Sequence, residues 1–355
     1  MKPSLKARGT LIDVAKAVGV SHTTVSNAFN RPDQLSPELR EKIMAMARSM
    51  KYSGPNPAAR MLRTGFAKTI AVVWSDLLYR AFEDPAASAF LGGVGEACAE
   101  RGLGLLLVQG QETSSSIIQT AAVDGFILYS MPRDEETLKV AAERGLPMVV
   151  VDQGMQSKVA FIGVDNRAAG QVCAQHLKEL GHEKIAVVTF ALDIDGRVGF
   201  VDEARLKNCR YTLPRNRIEG YLDVLGRGGS SFDVKIWETL LSTEEHGRTA
   251  AENLFKTDDP PTAILATSDR LAIGIIEAAR KRKLRVPRDL SVVGFDDVPA
   301  ARLVTPQLTT VRQPFAEKGR LAVSALLDEK GPLRRELPTK FIIRRSTGSP
   351  VSRQP

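Results

Sequence analysis

Apolar residues recur at two different periods along this chain. Over the first fifty residues the spacing is helical. Leu11, Val14, Ala15 and Val18 share one face of a helix capped by the Thr10 hydroxyl, with Asp13 three residues on to return a bond to the cap. Gly19 ends that helix. Ser21 caps a second one that runs through Asn30 and buries Val25, Ala28 and Phe29. Ser36-Pro37-Glu38 announces a third, on which Leu39, Ile43, Met46, Ala47 and Met50 recur. Two short helices across a Gly-containing turn make a helix-turn-helix, and the third closes a small core. Ser53-Gly54-Pro55 then breaks the chain. Asn56 caps, Pro57 opens and Gly65 closes a further helix too short to be stable alone in water.

Beyond Gly65 the period changes. Short β-branched or aliphatic runs at 69–74, 103–109, 125–129, 147–152, 184–189, 262–266 and 291–295 read as strands. Helical stretches lie between them near 86–101, 134–144, 168–180, 215–225, 244–255 and 269–281. Near-continuous apolar strands alternating with helices predict parallel sheets covered on both faces. About ten such strands make one sheet unusually wide, so the expectation is two doubly wound lobes with a cleft at the carboxyl ends of their strands. The domains expected are a headpiece over 1–53, a hinge over 54–66, a core over 67–348 and a short tail over 349–355.

Charge sharpens this division. Residues 1–64 carry 11 Lys/Arg against 4 Asp/Glu, a net of +7, whereas the remainder holds 38 against 37. A small basic module on a near-neutral body suits a phosphate-binding headpiece with a separate sensing domain. On the second helix, His22, Thr23, Thr24, Ser26 and Asn27 are short or flat polar groups rather than the Lys/Glu mix of a merely solvated face, and they suit base edges and phosphates.

Other chemistry is sparse. An apolar share of 43%, no run long enough to span a membrane and no leader-like N-terminus predict a soluble, cytoplasmic protein. Cys98, Cys173 and Cys209 lie far apart, with no partner at metal-ligand spacing, so neither a metal site nor a disulfide framework is expected. The four histidines are dispersed, and no nucleophile elbow, zinc-protease motif or phosphate loop occurs, so neither an enzyme nor a cofactor is expected. Gly93-Val94-Gly95 lacks the third glycine of a dinucleotide fingerprint and reads as close helix packing.

The stretch TLIDVAKAVGVSHTTVSNAFN, residues 10–30, closely resembles the headpiece of the lactose-repressor (LacI/GalR) family, and PNPAARMLRTG resembles that family's hinge. The resemblance implies that the second helix enters the major groove with His22, Thr23 and Asn27 as base readers. Ser21, Thr24 and Asn30 would contact phosphate or backbone, with Thr10, Leu11 and Ser26 also in the DNA-facing set. The family commonly has Arg where this chain has Asn27. A shorter amide cannot make the paired contact Arg makes to guanine, which points towards adenine there. In the hinge, Leu62 matches the leucine that the family inserts into the minor groove, with Asn56 as cap and Arg60 and Arg63 facing phosphates. There is one more residue between Tyr52 and Asn56 than the family's commoner spacing.

The resemblance continues through LGHEKIAVV, ATSDRLAIGIIEAARKRKLRVPRDLSVVGFDD and PQLTTVRQP. It implies a periplasmic-binding-protein-like core whose chain crosses between lobes near Asp165, Asp297 and Leu327. One lobe then holds about 67–164 and 297–326, the other about 165–296 and 327–348. It also implies a homodimer on a palindromic operator and a small-molecule effector, a sugar first among the candidates. Asp152, Arg217, Ser268 and Asp296 stand at effector-contact positions of sugar-responsive relatives. Asp269 also falls at a strand end, and Trp74, Phe82, Phe90 or Phe161 could stack on a sugar's apolar face. Asp165 and Asp269 read equally as helix caps, and Phe161 as core. Residues 191–216 form a charged run longer than in better-known members, expected as a lid or added wall. A cytoplasmic binding protein without DNA activity would share the body, but not the basic headpiece.

Overall fold

The structure, a computed structural model, describes residues 9–54, 61–62, 64–110, 115–133, 136–154, 159–226, 233–328 and 333–351. The chain divides into two compact units, 1–67 and 68–355.

The first unit has three helices, α1 (Leu11–Val18), α2 (His22–Asn30) and α3 (Pro37–Ser49). Thr10 and Asp13 cap α1 reciprocally, and Gly19 ends it in the left-handed conformation at φ 77°. Ser21 and Ser36 cap α2 and α3 through side-chain oxygens that accept the N–H groups of Thr24 and Leu39. Val14, Ala15, Val18, Val25, Ala28, Ile43 and Ala47 form the buried centre, with Leu11, Phe29, Leu39, Met46 and Met50 packed around it.

The second unit is two-lobed. In the first lobe, β1 (Thr69–Trp74), β2 (Gly104–Gln109), β3 (Phe126–Tyr129), β4 (Met148–Val151), β5 (Ala160–Val164) and β12 (Arg334–Leu337) form a parallel sheet ordered β12-β5-β4-β3-β1-β2. In the second, β6 (Lys184–Thr189), β7 (Gly199–Phe200), β8 (Asp233–Glu238), β9 (Ala263–Ala266) and β10 (Ser291–Val293) are ordered β10-β9-β6-β8-β7, with only β7 antiparallel. β11 (Thr310–Arg312) and β13 (Lys340–Ile342) pair antiparallel as a separate ribbon.

The chain leaves the first lobe at Asp165, between β5 and the helix Asn166–Glu179, where the sequence places it. The other two crossings lie further on than 297 and 327. Val311 packs in the second lobe's core and Phe315 in the first's, so the return falls at 313–314. β12 then still belongs to the first sheet, so the last crossing falls between Leu337 and Lys340. The last crossing is displaced because β12, Arg-Arg-Glu-Leu, is an edge strand with only Leu337 buried and carries no apolar run to reveal it.

Three helix pairs flank these sheets, and each crosses at a pair of glycines. A Cβ on Gly93 would stand 2.0 Å from the Ala316 carbonyl oxygen, and one on Gly319 2.3 Å from that of Phe90. Gly170 and Gly220 meet in the same way against Arg217 and Arg167, as do Gly247 and Gly274 against Leu271 and Glu244. Helix backbones therefore touch directly, and Gly93-Val94-Gly95 serves packing rather than phosphate binding. Gly93→Ala should destabilise the protein by about 1–3 kcal/mol or more, because the facing atom is backbone and cannot rotate away. Gly95→Ala, with nothing within 4 Å, should be neutral or up to about 1 kcal/mol stabilising, as read by thermal unfolding.

Candidate nucleic-acid interface and interlobe cleft

On the first unit, α2 presents a continuous polar face. Ser21, His22, Thr23 and Asn30 are exposed, and Thr24, Ser26 and Asn27 half-buried. Most are already oriented by short bonds. The Ser21 and Thr24 hydroxyls lie 2.8 Å apart, and Asn30 Nδ2 donates to the Ser26 carbonyl at 3.0 Å. Thr10 is the cap of α1 and Leu11 lies half-buried at its start. Leu62 is 88% exposed. Asn56, Arg60 and Arg63 lie outside the described residues.

In the second unit a cavity of about 1000 Å³ opens between the lobes at the carboxyl ends of their strands. Trp74, Arg217, Ser268 and Asp296 line it. Trp74 stacks flat on Tyr129 at 4.3 Å, so two aromatic rings brace one wall. Arg217 is buried and held on every side. Its Nε donates to Asn166 Oδ1 at 2.9 Å and its Nη1 to the Thr267 carbonyl at 2.5 Å. Nη2 lies 3.4 Å from Asp296 Oδ1, and the guanidinium covers the Phe295 ring at 3.7 Å. Burial pushes the Asp296 carboxyl well up, against the opposing pull of Arg217. Ser268 caps the helix Asp269–Lys281 and accepts a bond from the Ser242 hydroxyl at 2.7 Å.

Five other expected contacts lie elsewhere. Phe90 is fully buried in the first lobe's core beneath Tyr129, and Phe161 packs in the core on the sheet's other face. Phe82 is 65% exposed and is not part of the described cavity wall. Asp269 is fully buried and accepts bonds from the Val298 N–H at 2.8 Å and the Thr310 hydroxyl at 2.5 Å. It anchors the 298–310 segment. Asp165, by contrast, does cap its helix, accepting the Ala168 N–H at 2.9 Å. Asp152 is buried against Lys318, whose Nζ reaches both carboxylate oxygens at 2.7 and 2.6 Å and Gln313 Oε1 at 2.7 Å.

That lysine was not among the expected residues, yet it organises the cleft. Gln313 Nε2 donates to Asp296 Oδ1 at 2.7 Å, so a continuous polar chain runs Asp152, Lys318, Gln313, Asp296, Arg217 from the first lobe across the 313–314 crossing into the second, buried except where Asp296 meets the cavity. Burial pulls the Lys318 ammonium down, while the Asp152 charge holds it up. The sequence does carry a signal: Lys318 falls on the apolar stripe that Phe315, Ala322 and Leu326 form along their helix. Asp152 and Asp296 both have positive φ, 53° and 120°, a conformation that short polar side chains tolerate better than most.

Residues 191–216 are ordered and form part of the wall through Asp193, Ile194, Arg210 and Tyr211. They contain β7, a short helix Glu203–Lys207 and the first turns of the helix Thr212–Leu225, which starts three residues before the predicted 215. Arg205 pins the segment by bonding both Asp195 and the buried Glu238. The segment also spans the cleft, since the Arg133 N–H donates to the Arg210 carbonyl at 2.9 Å and Arg210 returns a bond to the Arg133 carbonyl at 3.2 Å.

Among the described residues no cluster of His, Cys, Asp or Glu could hold a metal, and no helix is long and apolar enough to cross a membrane. Lys318→Met should destabilise the protein by roughly 3–5 kcal/mol, because it strands a buried carboxylate. Adding Asp152→Asn should restore most of that loss, as read by denaturant titration.

Comparison with known proteins identifies both units. Residues 10–56 match the family described as bacterial regulatory proteins, lacI family, and residues 174–347 match a periplasmic binding protein-like domain. The HTH-type transcriptional regulator Rv3575c of Mycobacterium tuberculosis is 39% identical over 364 aligned residues, covering 99% of this chain and 100% of the relative. The lac repressor dimer bound to operator and the anti-inducer ONPF superposes with a TM-score of 0.76 at 25% identity, covering 96% of this chain and 100% of the other. The transcriptional regulator CelR in complex with cellobiose superposes at 0.67 and 28% identity, covering 96% and 100%. The chain belongs to the lacI family of bacterial transcriptional regulators.

Proposed function

We propose that this regulator acts in the cytoplasm as a homodimeric repressor whose grip on a palindromic operator is altered by a neutral, hydroxyl-rich metabolite, a sugar or close relative, bound in the interlobe cleft. The carrying observation is the Arg217–Asp296 pair, set in the cavity wall beside the Trp74–Tyr129 stack. A fixed guanidinium and carboxylate supply paired donors and acceptors to vicinal hydroxyls, and a flat ring accepts the apolar face of a sugar.

The charge of the wall favours a neutral ligand over a phosphate ester. Each arginine of the described wall already faces a carboxylate: Arg80 with Asp76 at 3.0 Å, Arg210 with Asp193 at 3.6 Å, Arg217 with Asp296 and Arg270 with Glu244 at 2.9 Å. A phosphate would have to compete with those partners. The cellobiose held by CelR is a neutral sugar, in keeping with this reading.

On the DNA side, His22, Thr23 and Asn27 would read bases, and Thr10, Leu11, Ser21, Thr24, Ser26 and Asn30 would place the backbone. The exposed Leu62 would enter the minor groove. Ligand closing the cleft would change the spacing of the two hinges in the dimer and so operator affinity.

A thermal-shift screen of neutral sugars, sugar phosphates, nucleosides and amino acids tests the ligand class. A neutral sugar at about 100 times its dissociation constant should stabilise the protein by roughly 2.7 kcal/mol. Arg217→Lys, which keeps the charge but loses the fork, should abolish that shift. Stabilisation by sugar phosphates alone would overturn the neutral-ligand reading.

A further inference from the structure

Asn27 does not stand alone on α2. Its Nδ2 donates to Oε1 of Gln34 at 3.2 Å, reaching across the end of the helix to the single 3₁₀ turn Pro32–Gln34 that follows. Gln34 is exposed, and its side chain has no role in the headpiece core. The bond is therefore not needed to bury either group. Its effect is to orient an amide that already lies on the polar face of the helix.

The consequence follows from the chemistry of a primary amide. Asn27 Nδ2 carries two hydrogens, and Gln34 occupies one. What remains is one N–H beside one carbonyl oxygen, held over the polar face of the helix. In the major groove adenine offers N7 as acceptor and the N6 amino group as donor, which is the matching pattern. Guanine offers two acceptors at N7 and O6, so one of them would face the amide oxygen. Without Gln34 the exposed Asn27 side chain is free to leave that position, and the paired contact to adenine loses its preorganisation.

We propose that Gln34 is a positioning residue for base recognition: by holding the Asn27 amide, it makes an adenine the preferred base beneath that side chain in each operator half-site. The proposal rests on α2 reading the major groove. The 3₁₀ turn that carries Gln34 is placed by Pro32 at its first position and closed by the Leu35 N–H on the Pro32 carbonyl. The turn thus fixes the backbone position from which the Gln34 side chain reaches back to α2.

The test is selection from a random duplex library with the full-length protein, followed by titration of the selected operator and its single-base variants. Wild type should yield a palindrome with one adenine per half-site whose replacement by guanine weakens binding roughly tenfold, the scale of a good paired amide contact. Gln34→Ala, an exposed change, should reduce that preference to less than about twofold and leave the other positions unaltered. Gln34→Glu keeps the acceptor and should retain the adenine preference, while binding every duplex more weakly through its added charge. If Gln34→Ala keeps the adenine preference at full strength, or weakens all positions equally, the positioning role is wrong. A wild type that selects no palindrome would instead overturn the reading of α2 as a base reader, and this proposal with it.

Discussion

The second unit depends on one arrangement of buried charge. Asp152 and Lys318 are both taken out of water, and each would cost several kcal/mol if left unpaired. They are stable only because they meet at 2.6 Å and because Gln313 uses a remaining lysine hydrogen. Gln313 then hands the constraint to Asp296, and Asp296 to Arg217. Five residues from both lobes are thereby committed to a single geometry at the point where the chain crosses between them. The polar end of this chain is also the polar wall of the cavity, so a ligand that draws Asp296 or Arg217 towards itself acts on the contacts joining the lobes.

Around that chain the rest of the unit is built for rigidity. Reciprocal glycines let helix backbones meet without side chains between them, which leaves little room for the helices to slide. Asp297 gathers Arg302, Arg312 and Arg344 at the 297–312 segment. Three guanidiniums outweigh the cost of its burial and hold its carboxyl below the usual range. The segment 191–216 adds a bridge from the second lobe back to Arg133. The first unit is organised differently. Its core is small, so helix caps at Thr10, Ser21 and Ser36 and short side-chain bonds along α2 carry much of the local definition.

Much of this was legible in the sequence where a pattern is local. Caps, the helical period of the headpiece and the buried strands β1, β3, β4, β6 and β9 follow from hydroxyl placement and unbroken apolar runs. In the two sheets the edge strands β2 and β10 were expected, whereas the buried β5, the edges β12 and β7 and the interior β8 were not. β12 is mostly charged, β7 has two residues, and β8 alternates polar and apolar positions in Asp-Val-Lys-Ile-Trp-Glu. The last crossing was misplaced because β12 carries no apolar run. Within the cleft, resemblance to sugar-responsive relatives pointed to Arg217, Ser268 and Asp296, which line the wall, but did not separate them from Asp152, nor did strand-end position set Asp269 apart; both of these point into buried networks. The difference lies in partners distant in sequence, Lys318 and Thr310, which no local period encodes. Phe90 and Phe161 went the same way: aromatic side chains on core-facing positions are consumed by packing before they can serve a ligand.

The central claim is that one molecule couples a small-molecule cleft to DNA recognition. The direct measurement is fluorescence anisotropy of a labelled, selected operator titrated with the intact protein, with and without a saturating amount of whichever neutral sugar stabilises it thermally. The account predicts a change in operator affinity of about five- to 150-fold, with operator shifting sugar affinity by the same factor. Identical operator affinity in the two conditions would contradict it.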